Sequence, residues 1–190
     1  MNRTRINSFE PLVGEAPLLL ILGSVPGVAS LKSGRYYGHE RNHFWRLMSA
    51  VLEEPEHPDY EERVAMLKRH RVALWDSVGS CVRPGSLDKD IREERPNDIP
   101  ALLRDHPTIR AICFNGRASR AVYCRHHAER MKDQPVQYLL LPSSSPIPRK
   151  FVKTFEDRLV TWMEIRRVLN APDTDSNSGI PKGLQPFSGV

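Results

Sequence analysis

Cysteine is scarce in this 190-residue sequence, and its spacing limits the chemistry that the chain can support. The three cysteines, Cys81, Cys113 and Cys124, lie far apart and form no Cys-x-x-Cys pair. This spacing argues against a disulfide scaffold and against a zinc or iron–sulfur site, so we expect neither a metal nor a cofactor. Scattered free thiols are typical of proteins from a reducing cytosol.

Long apolar segments are missing as well. The longest uninterrupted apolar run, from Leu18 to Leu22, is far too short to cross a membrane. Basic residues near the N-terminus, Arg3 and Arg5, are not followed by the apolar core of a signal peptide. We therefore expect a cytoplasmic protein, and nothing in the sequence suggests more than a monomer.

Two common enzyme signatures are also absent. No Gly-Lys-Ser/Thr follows Gly23 and Gly27, which excludes a Walker loop, and no Gly-x-Ser-x-Gly occurs, which argues against a serine hydrolase. What the chain does have is an excess of basic residues, with a formal net charge of +5. A positive balance of this kind is a mild indication of a polyanionic partner such as nucleic acid.

Apolar runs alternate with helical patterns along the chain. Four such runs are predicted as buried strands, at 17–24, 72–78, 109–116 and 135–143. This alternation predicts an α/β fold, a three-layer α/β/α sandwich with a central four-stranded parallel sheet. We expect the folded domain at 8–170 and, from its Pro, Gly, Ser and Asp content, a disordered tail at 171–190.

In sheets of this type the ligand site lies beyond the carboxyl ends of the strands. The segments that follow the four predicted strands are all small, polar or turn-forming: Gly23-Ser24-Val25-Pro26-Gly27, Asp76-Ser77-Val78-Gly79-Ser80, Asn115-Gly116-Arg117 and Pro142-Ser143-Ser144-Ser145-Pro146. The first segment leads into "LKSGRYYGHERNHFW", which is dense in aromatic and basic residues. Because all four segments meet at one edge of the sheet, we expect the functional site there.

Taken one at a time, these residues leave alternatives open. Tyr37 could form a stacking platform or pack over the sheet edge, and Asn42 stands where a helix N-cap is expected. Asp76 ends a buried strand and therefore needs hydrogen-bond donors, either from the next loop or from a ligand. The Ser/Pro segment, with Arg149 and Lys150 behind it, suits phosphate binding or insertion into a DNA groove, or an ordinary helix start.

Together the segments resemble a known family. "GSVPGVASLKSGRYYGHERNHFW", "LWDSVGSCVRPGSLDKDI", "ICFNGRAS" and "LPSSSP" are similar to the motifs of the uracil-DNA glycosylase superfamily, in particular its hypoxanthine-DNA (deoxyinosine) glycosylase branch. The resemblance spans about residues 17–160. It implies a monofunctional DNA glycosylase that flips a deaminated base, hypoxanthine in the first place, out of double-stranded DNA. The enzyme would hydrolyse the N-glycosidic bond and leave an abasic site for base excision repair.

The resemblance also implies roles for individual residues. Val25 stands where many relatives have the residue that positions the attacking water, and the family pattern places a catalytic amide instead at Asn42. Tyr37 matches the aromatic residue beneath the flipped base. Asp76 matches the residue that reads the base edge, where a carboxylate could accept N1–H of hypoxanthine. The other expected base-binding residues are Gly23, Ser24 and Asn115.

In the second catalytic motif many relatives carry a His where this chain has Leu141. Backbone N–H groups of Ser143–Ser145 then become candidate donors to the departing base, with Ser143 as a catalytic residue. The expected DNA contacts are Ser144, Ser145, Pro146, Arg149 and Lys150. Two alternatives stay open: a uracil or G:U/G:T mismatch glycosylase, and a non-catalytic domain that binds damaged DNA.

Overall fold

The computed structural model describes residues 5–146 and 154–172. In chain order the strands are β1 (Arg5–Asn7), β2 (Leu19–Gly23), β3 (Val72–Asp76), β4 (Val78–Val82), β5 (Arg92–Pro96), β6 (Ala111–Asn115) and β7 (Gln137–Leu141). The helices are α1 (Val28–Ser33), α2 (Phe44–Leu52), α3 (Tyr60–Arg69), α4 (Ile99–Asp105), α5 (Arg117–His126), α6 (Ala128–Met131), α7 (Phe155–Trp162) and α8 (Glu164–Asn170).

The central sheet has four parallel strands in the order β3-β2-β6-β7. All five residues of β2 are buried, because helices cover both faces of the sheet. Leu19 and Ile21 pack against α2, α3, α7 and α8, whereas Leu20 and Leu22 pack against α4, α5 and α6. This alternation produces two cores on opposite faces of one sheet. The predicted three-layer α/β/α sandwich with four parallel strands is confirmed.

A second, antiparallel sheet in the order β1-β4-β5 was not predicted from the sequence. Its outer strand β5 reads Arg-Glu-Glu-Arg-Pro and contains no large apolar side chain, so hydrophobic patterning does not detect it. Strand β1 lies ahead of residue 8, where the folded domain was expected to begin. Arg5 pairs with Val82 in the ladder, and its guanidinium contacts the Glu93 carboxylate at 3.1 Å.

The chain after β7 forms two helices in the described residues. Helix α7 begins after Thr154, whose side chain accepts from the backbone N–H of Asp157 in a capping box. Helix α8 follows after Met163. Residues 147–153 and the predicted tail from 173 onward lie outside the described residues. Within the described residues, no helix has the length and apolar character needed to pass through a membrane.

The strand order creates a crevice at the carboxyl edge of the sheet. The chain leaving β2 leads to α2 on one face, whereas the chain leaving β6 leads directly into α5 on the other face. Connections that diverge from neighbouring strands leave an opening between their tips, which is where ligands bind in open α/β sheets. The fold thus places the segments after β2, β3, β6 and β7 around one opening.

Candidate active site

Asp76 lies at the tip of β3 and is only 4% exposed. Its Oδ2 accepts a hydrogen bond from Ser8 Oγ at 2.8 Å, and its main-chain carbonyl accepts from Asn97 Nδ2 at 2.8 Å. Its other carboxyl oxygen, Oδ1, has no hydrogen-bond donor among the described residues. Of the two carboxyl oxygens, only Oδ2 is therefore anchored by a donor among the described residues.

Gly23 makes room for this carboxyl. Gly23 and Asp76 are paired in register on the parallel strands β2 and β3, so any side chain at position 23 would lie beside that of Asp76. An added Cβ would stand 2.3 Å from Asp76 Oδ1 and 3.0 Å from Tyr37 Oη. The missing side chain thus lets a carboxyl oxygen and a phenol oxygen approach the same point above the strand.

Burial makes ionisation of Asp76 unfavourable. It raises the pKa of the carboxyl to about 7, and the nearby negative charge of Asp88 acts in the same direction. The hydrogen bond from Ser8 and the positive charge of Arg83 oppose this shift only in part. A substantial fraction of Asp76 is therefore protonated at neutral pH, unlike an ordinary surface aspartate.

Tyr37 has a strained backbone and a ring that is supported from one side. Its φ of 52° lies in the left-handed region, which is uncommon for a bulky residue. The ring stacks on that of Phe44, with centroids 3.9 Å apart and planes inclined by 16°. Phe44 is fully buried, so it holds the tyrosine from within the core. A ligand base could stack only on the opposite face of this ring.

Asn115 joins Tyr37 to the chain after β7. Its Nδ2 donates to Tyr37 Oη at 2.9 Å and to Ser144 Oγ at 2.8 Å, and its Oδ1 accepts from the Ser144 backbone N–H at 2.8 Å. Both amide hydrogens are therefore used within the protein. Asn115 was predicted to bind the base, but in this structure its amide holds the site together.

The serine loop (143–146) differs in part from expectation. Ser144 is fully buried, so its predicted role as a direct DNA contact does not fit its position in this structure. The N–H of Ser144 is bound to Asn115 and that of Ser145 to Ser143 Oγ, which leaves the N–H of Ser143 as the open donor among the three. Ser145 and Pro146 are half-buried, and the predicted contacts Arg149 and Lys150 lie outside the described residues.

Arg158 of α7 clamps the serine loop, and sequence analysis did not identify it. Its Nε donates to Ser143 O at 2.9 Å, its Nη2 to Ser145 O at 3.5 Å and its Nη1 to His43 Nδ1 at 3.1 Å. The side chain is buried, although an arginine on a terminal amphipathic helix reads as a surface residue. Because a guanidinium only donates, His43 must be neutral with its proton on Nε2. Burial and the Arg158 charge accordingly lower the pKa of His43.

Asn42 precedes the first turn of α2. Its Oδ1 accepts from the backbone N–H of Phe44 at 3.0 Å, so the expected capping interaction is present, although the helix begins at Phe44 with His43 as its capping position. Its Nδ2 has no acceptor among the described residues. The side chain is half-buried, and its role in holding a water molecule stays a prediction.

Ser24 turns toward a wall of the crevice. Its Oγ donates to Asp88 Oδ1 at 2.7 Å, on the β4–β5 loop (83–91). The same loop is fastened to the turn after β2 by Arg83, which donates to Pro26 O, and by Ser86, which accepts from the N–H of Val28 at 2.9 Å. This loop brings Asp88 close enough to influence Asp76, which local sequence patterns did not indicate.

Among the described residues, no hydrogen bond joins a cysteine to the site residues. Cys81 and Cys113 are buried, Cys124 is half-buried, and all three are free thiols. Across residues 5–146 and 154–172, no three His, Cys, Asp or Glu side chains are arranged to hold a metal ion.

Ligand sites of α/β enzymes lie beyond the carboxyl ends of parallel strands and combine aromatic side chains with a few polar groups, as Tyr37 and Asp76 do here. The family model of the uracil DNA glycosylase superfamily matches residues 11–166. The chain therefore belongs to the uracil DNA glycosylase superfamily.

Individual relatives agree with this membership. A hypoxanthine DNA glycosylase of Methanosarcina acetivorans is 36% identical over 149 residues, 78% of this chain and 91% of that protein. A hypoxanthine DNA glycosylase of Methanosarcina barkeri is 37% identical over 112 residues, 58% of this chain and 71% of that protein. The solution NMR structure of a candidate uracil DNA glycosylase from Methanosarcina acetivorans has a TM-score of 0.74 and 33% identity, covering 88% of this chain and all of that one.

We expect Gly23→Ala to displace the Asp76 carboxyl, because the new Cβ would stand 2.3 Å from Oδ1. The free energy of unfolding should fall by about 1–3 kcal/mol, the usual cost of overpacking, when measured by chemical denaturation. In an Asp76→Ala background the same substitution should cost clearly less, because the clashing group is gone. An equal loss in both backgrounds would contradict the proposed contact.

Arg158→Lys keeps the charge but loses the fork that spans Ser143, Ser145 and His43. We expect the free energy of unfolding to fall by about 1–3 kcal/mol, because partly buried carbonyls of the serine loop lose their donors. Arg167→Lys is the matched control, since the Arg167 side chain is 80% exposed and its ion pair within residues 5–146 and 154–172 is with the Glu164 carboxylate of the same helix. Denaturation curves that coincide for the two variants would contradict the clamp.

Proposed function

We propose that this chain is a monofunctional DNA glycosylase that removes hypoxanthine from double-stranded DNA. The observation that carries the proposal is the convergence of Tyr37 and Asp76 above Gly23, which offers a stacking face and a polar group to one extruded base. The relatives at 36% and 37% identity are named for hypoxanthine, which supports the choice of base. We further propose that the protein acts as a monomer and in the cytoplasm, as its sequence predicts.

In this proposal the base leaves the duplex and stacks on the face of Tyr37 that Phe44 does not cover. Asn42 then holds a water molecule near the anomeric carbon, through the Nδ2 group that has no acceptor among the described residues. An amide is a weak base, so positioning of the water dominates over removal of its proton. Sugar–base cleavage passes through a state with oxocarbenium character, and attack by this water leaves an abasic site.

Uracil is the second candidate substrate. It is supported by the likeness to the candidate uracil DNA glycosylase of known structure. Asp76 does not distinguish the two bases by hydrogen bonding alone, because uracil N3–H and hypoxanthine N1–H are both donors.

A base-release panel tests the proposed function. Duplexes that carry hypoxanthine, uracil, xanthine or a G:T mismatch are incubated with excess protein, and abasic sites are detected by alkaline strand cleavage. We expect the fastest release from deoxyinosine and no protein–DNA adduct after borohydride treatment, since a monofunctional enzyme forms no Schiff base. Faster release of uracil would favour the second candidate, and no release from any duplex would favour a silent binding domain.

Asn42→Ala separates catalysis from helix capping. Loss of the cap on Phe44 should lower the free energy of unfolding by about 1 kcal/mol. Loss of the positioned water should lower the single-turnover rate on deoxyinosine at least about a hundredfold, some 2.7 kcal/mol of barrier, with little change in DNA affinity. Asp98→Ala is the control, because Asp98 caps α4 through the N–H of Ala101. If the two variants lose stability and activity alike, Asn42 acts only as a cap.

A further inference from the structure

Asp76 lacks the partners that a buried charged carboxylate requires. It is 4% exposed, and no cationic side chain of the described residues forms an ion pair with it. The guanidinium of Arg83, the nearby positive group, donates instead to the carbonyls of Pro26 and Gly85. Leaving a buried carboxylate with one hydroxyl donor is costly, so the neutral acid is the form that fits this environment.

The hydrogen bonds indicate which oxygen carries the proton. When Ser8 Oγ donates to Oδ2 at 2.8 Å, the acid hydrogen is placed on Oδ1, the oxygen with no hydrogen-bond donor among the described residues. Oδ1 is the atom that lies against Gly23, beside the hydroxyl of Tyr37. A neutral carboxylic acid at the sheet tip thus presents its O–H toward the place where the stacking aromatic and the carboxyl converge.

The other buried or half-buried groups considered for this role are poorly suited to give a proton to a leaving base. Leu141 stands where many relatives have a histidine and is buried in the core. Burial strongly raises the pKa of Tyr37, so its phenol keeps its proton. His43 is neutral and accepts from Arg158 at Nδ1, and the open N–H of Ser143 can form a hydrogen bond but cannot transfer a proton.

We propose that the Asp76 carboxyl is the general acid that protonates N7 of the departing purine, instead of a charged acceptor for the base edge. This inference rests on the proposed function. The proton moves from Oδ1 to N7, the C1′–N9 bond breaks, and its electron pair stays on N9. The water oxygen adds to C1′, and one water proton returns through solvent to Asp76. One water is consumed and hypoxanthine leaves as its neutral N7–H tautomer.

The charged and titratable groups around Asp76 influence the pKa of its carboxyl group. Tyr36 and Tyr37 face it from the segment between β2 and α2, and Arg83 and Asp88 from the β4–β5 loop. The two tyrosines stay neutral, because burial raises the pKa of each. Arg83 and Asp88 carry opposite charges and partly cancel, so burial dominates.

The pH dependence of single-turnover hypoxanthine release tests the proposal, because the two roles of Asp76 predict opposite signs. A general acid is active when protonated, so the rate should be level below about pH 7 and fall about tenfold per pH unit above it. A charged acceptor would instead gain activity as the pH rises. Asp76→Asn, an isosteric mimic of the neutral acid, should fold, lose at least about a hundredfold in rate and lack the falling limb.

Asp88→Asn is the matched control. It removes the neighbouring negative charge, so the falling limb should persist and move to lower pH. A rate that rises with pH in the wild type, or a falling limb that survives in Asp76→Asn, overturns the assignment of Asp76 as the acid. A carbon-13 NMR titration of wild-type Asp76 needs no variant, and a pKa in the ordinary aspartate range would overturn it as well. If the wild type releases no hypoxanthine at any pH, the proposed function itself fails.

Discussion

The site depends on the close approach of the Asp76 carboxyl to the backbone of Gly23. These residues are paired on adjacent parallel strands, so their side-chain directions coincide, and glycine removes the atom that would block the carboxyl. The approach buries Asp76, and burial in turn shifts its protonation toward the neutral acid. The missing Cβ of Gly23 thereby contributes to the raised pKa of the neighbouring Asp76 carboxyl.

Around this contact, polar side chains that were available for a ligand are instead hydrogen-bonded within the protein. Asn115 donates its two amide hydrogens to Tyr37 and Ser144. The Arg158 guanidinium donates to the serine loop and to His43. These hydrogen bonds hold the aromatic platform and the loop before substrate arrives. Positioning of this kind is what a reaction limited by geometry needs, because an amide such as Asn42 contributes little as a base.

The small antiparallel sheet supplies residues that act on the Asp76 carboxyl. Strand β1 leads directly into Ser8, which anchors Asp76 Oδ2, and the loop between β4 and β5 carries Arg83 and Asp88 to the same carboxyl. Elements from the beginning and the middle of the chain thus tune a residue on the central sheet. The electrostatics of the site are a joint product of both sheets.

Much of this architecture could be predicted from the amino-acid sequence alone. Continuous apolar runs, such as the one that forms β2, predicted parallel strands buried on both faces, and the small polar segments after them predicted the edge at which the site lies. The motifs around Tyr37, Asp76 and Ser143 indicated the superfamily. These features are local, because each depends on residues that are near neighbours in the chain.

Other features could not be obtained in that way, because they arise from burial and from hydrogen bonds between distant segments. Arg158 contacts His43 across 115 residues, and Ser8 contacts Asp76 across 68. Ser144 is buried and hydrogen-bonded to Asn115, and the charged strand β5 is held by pairing with β4 instead of by apolar content. Patterns along the chain identified the chemical groups, whereas their protonation, their partners and their accessibility were set by which segments the fold brought into contact.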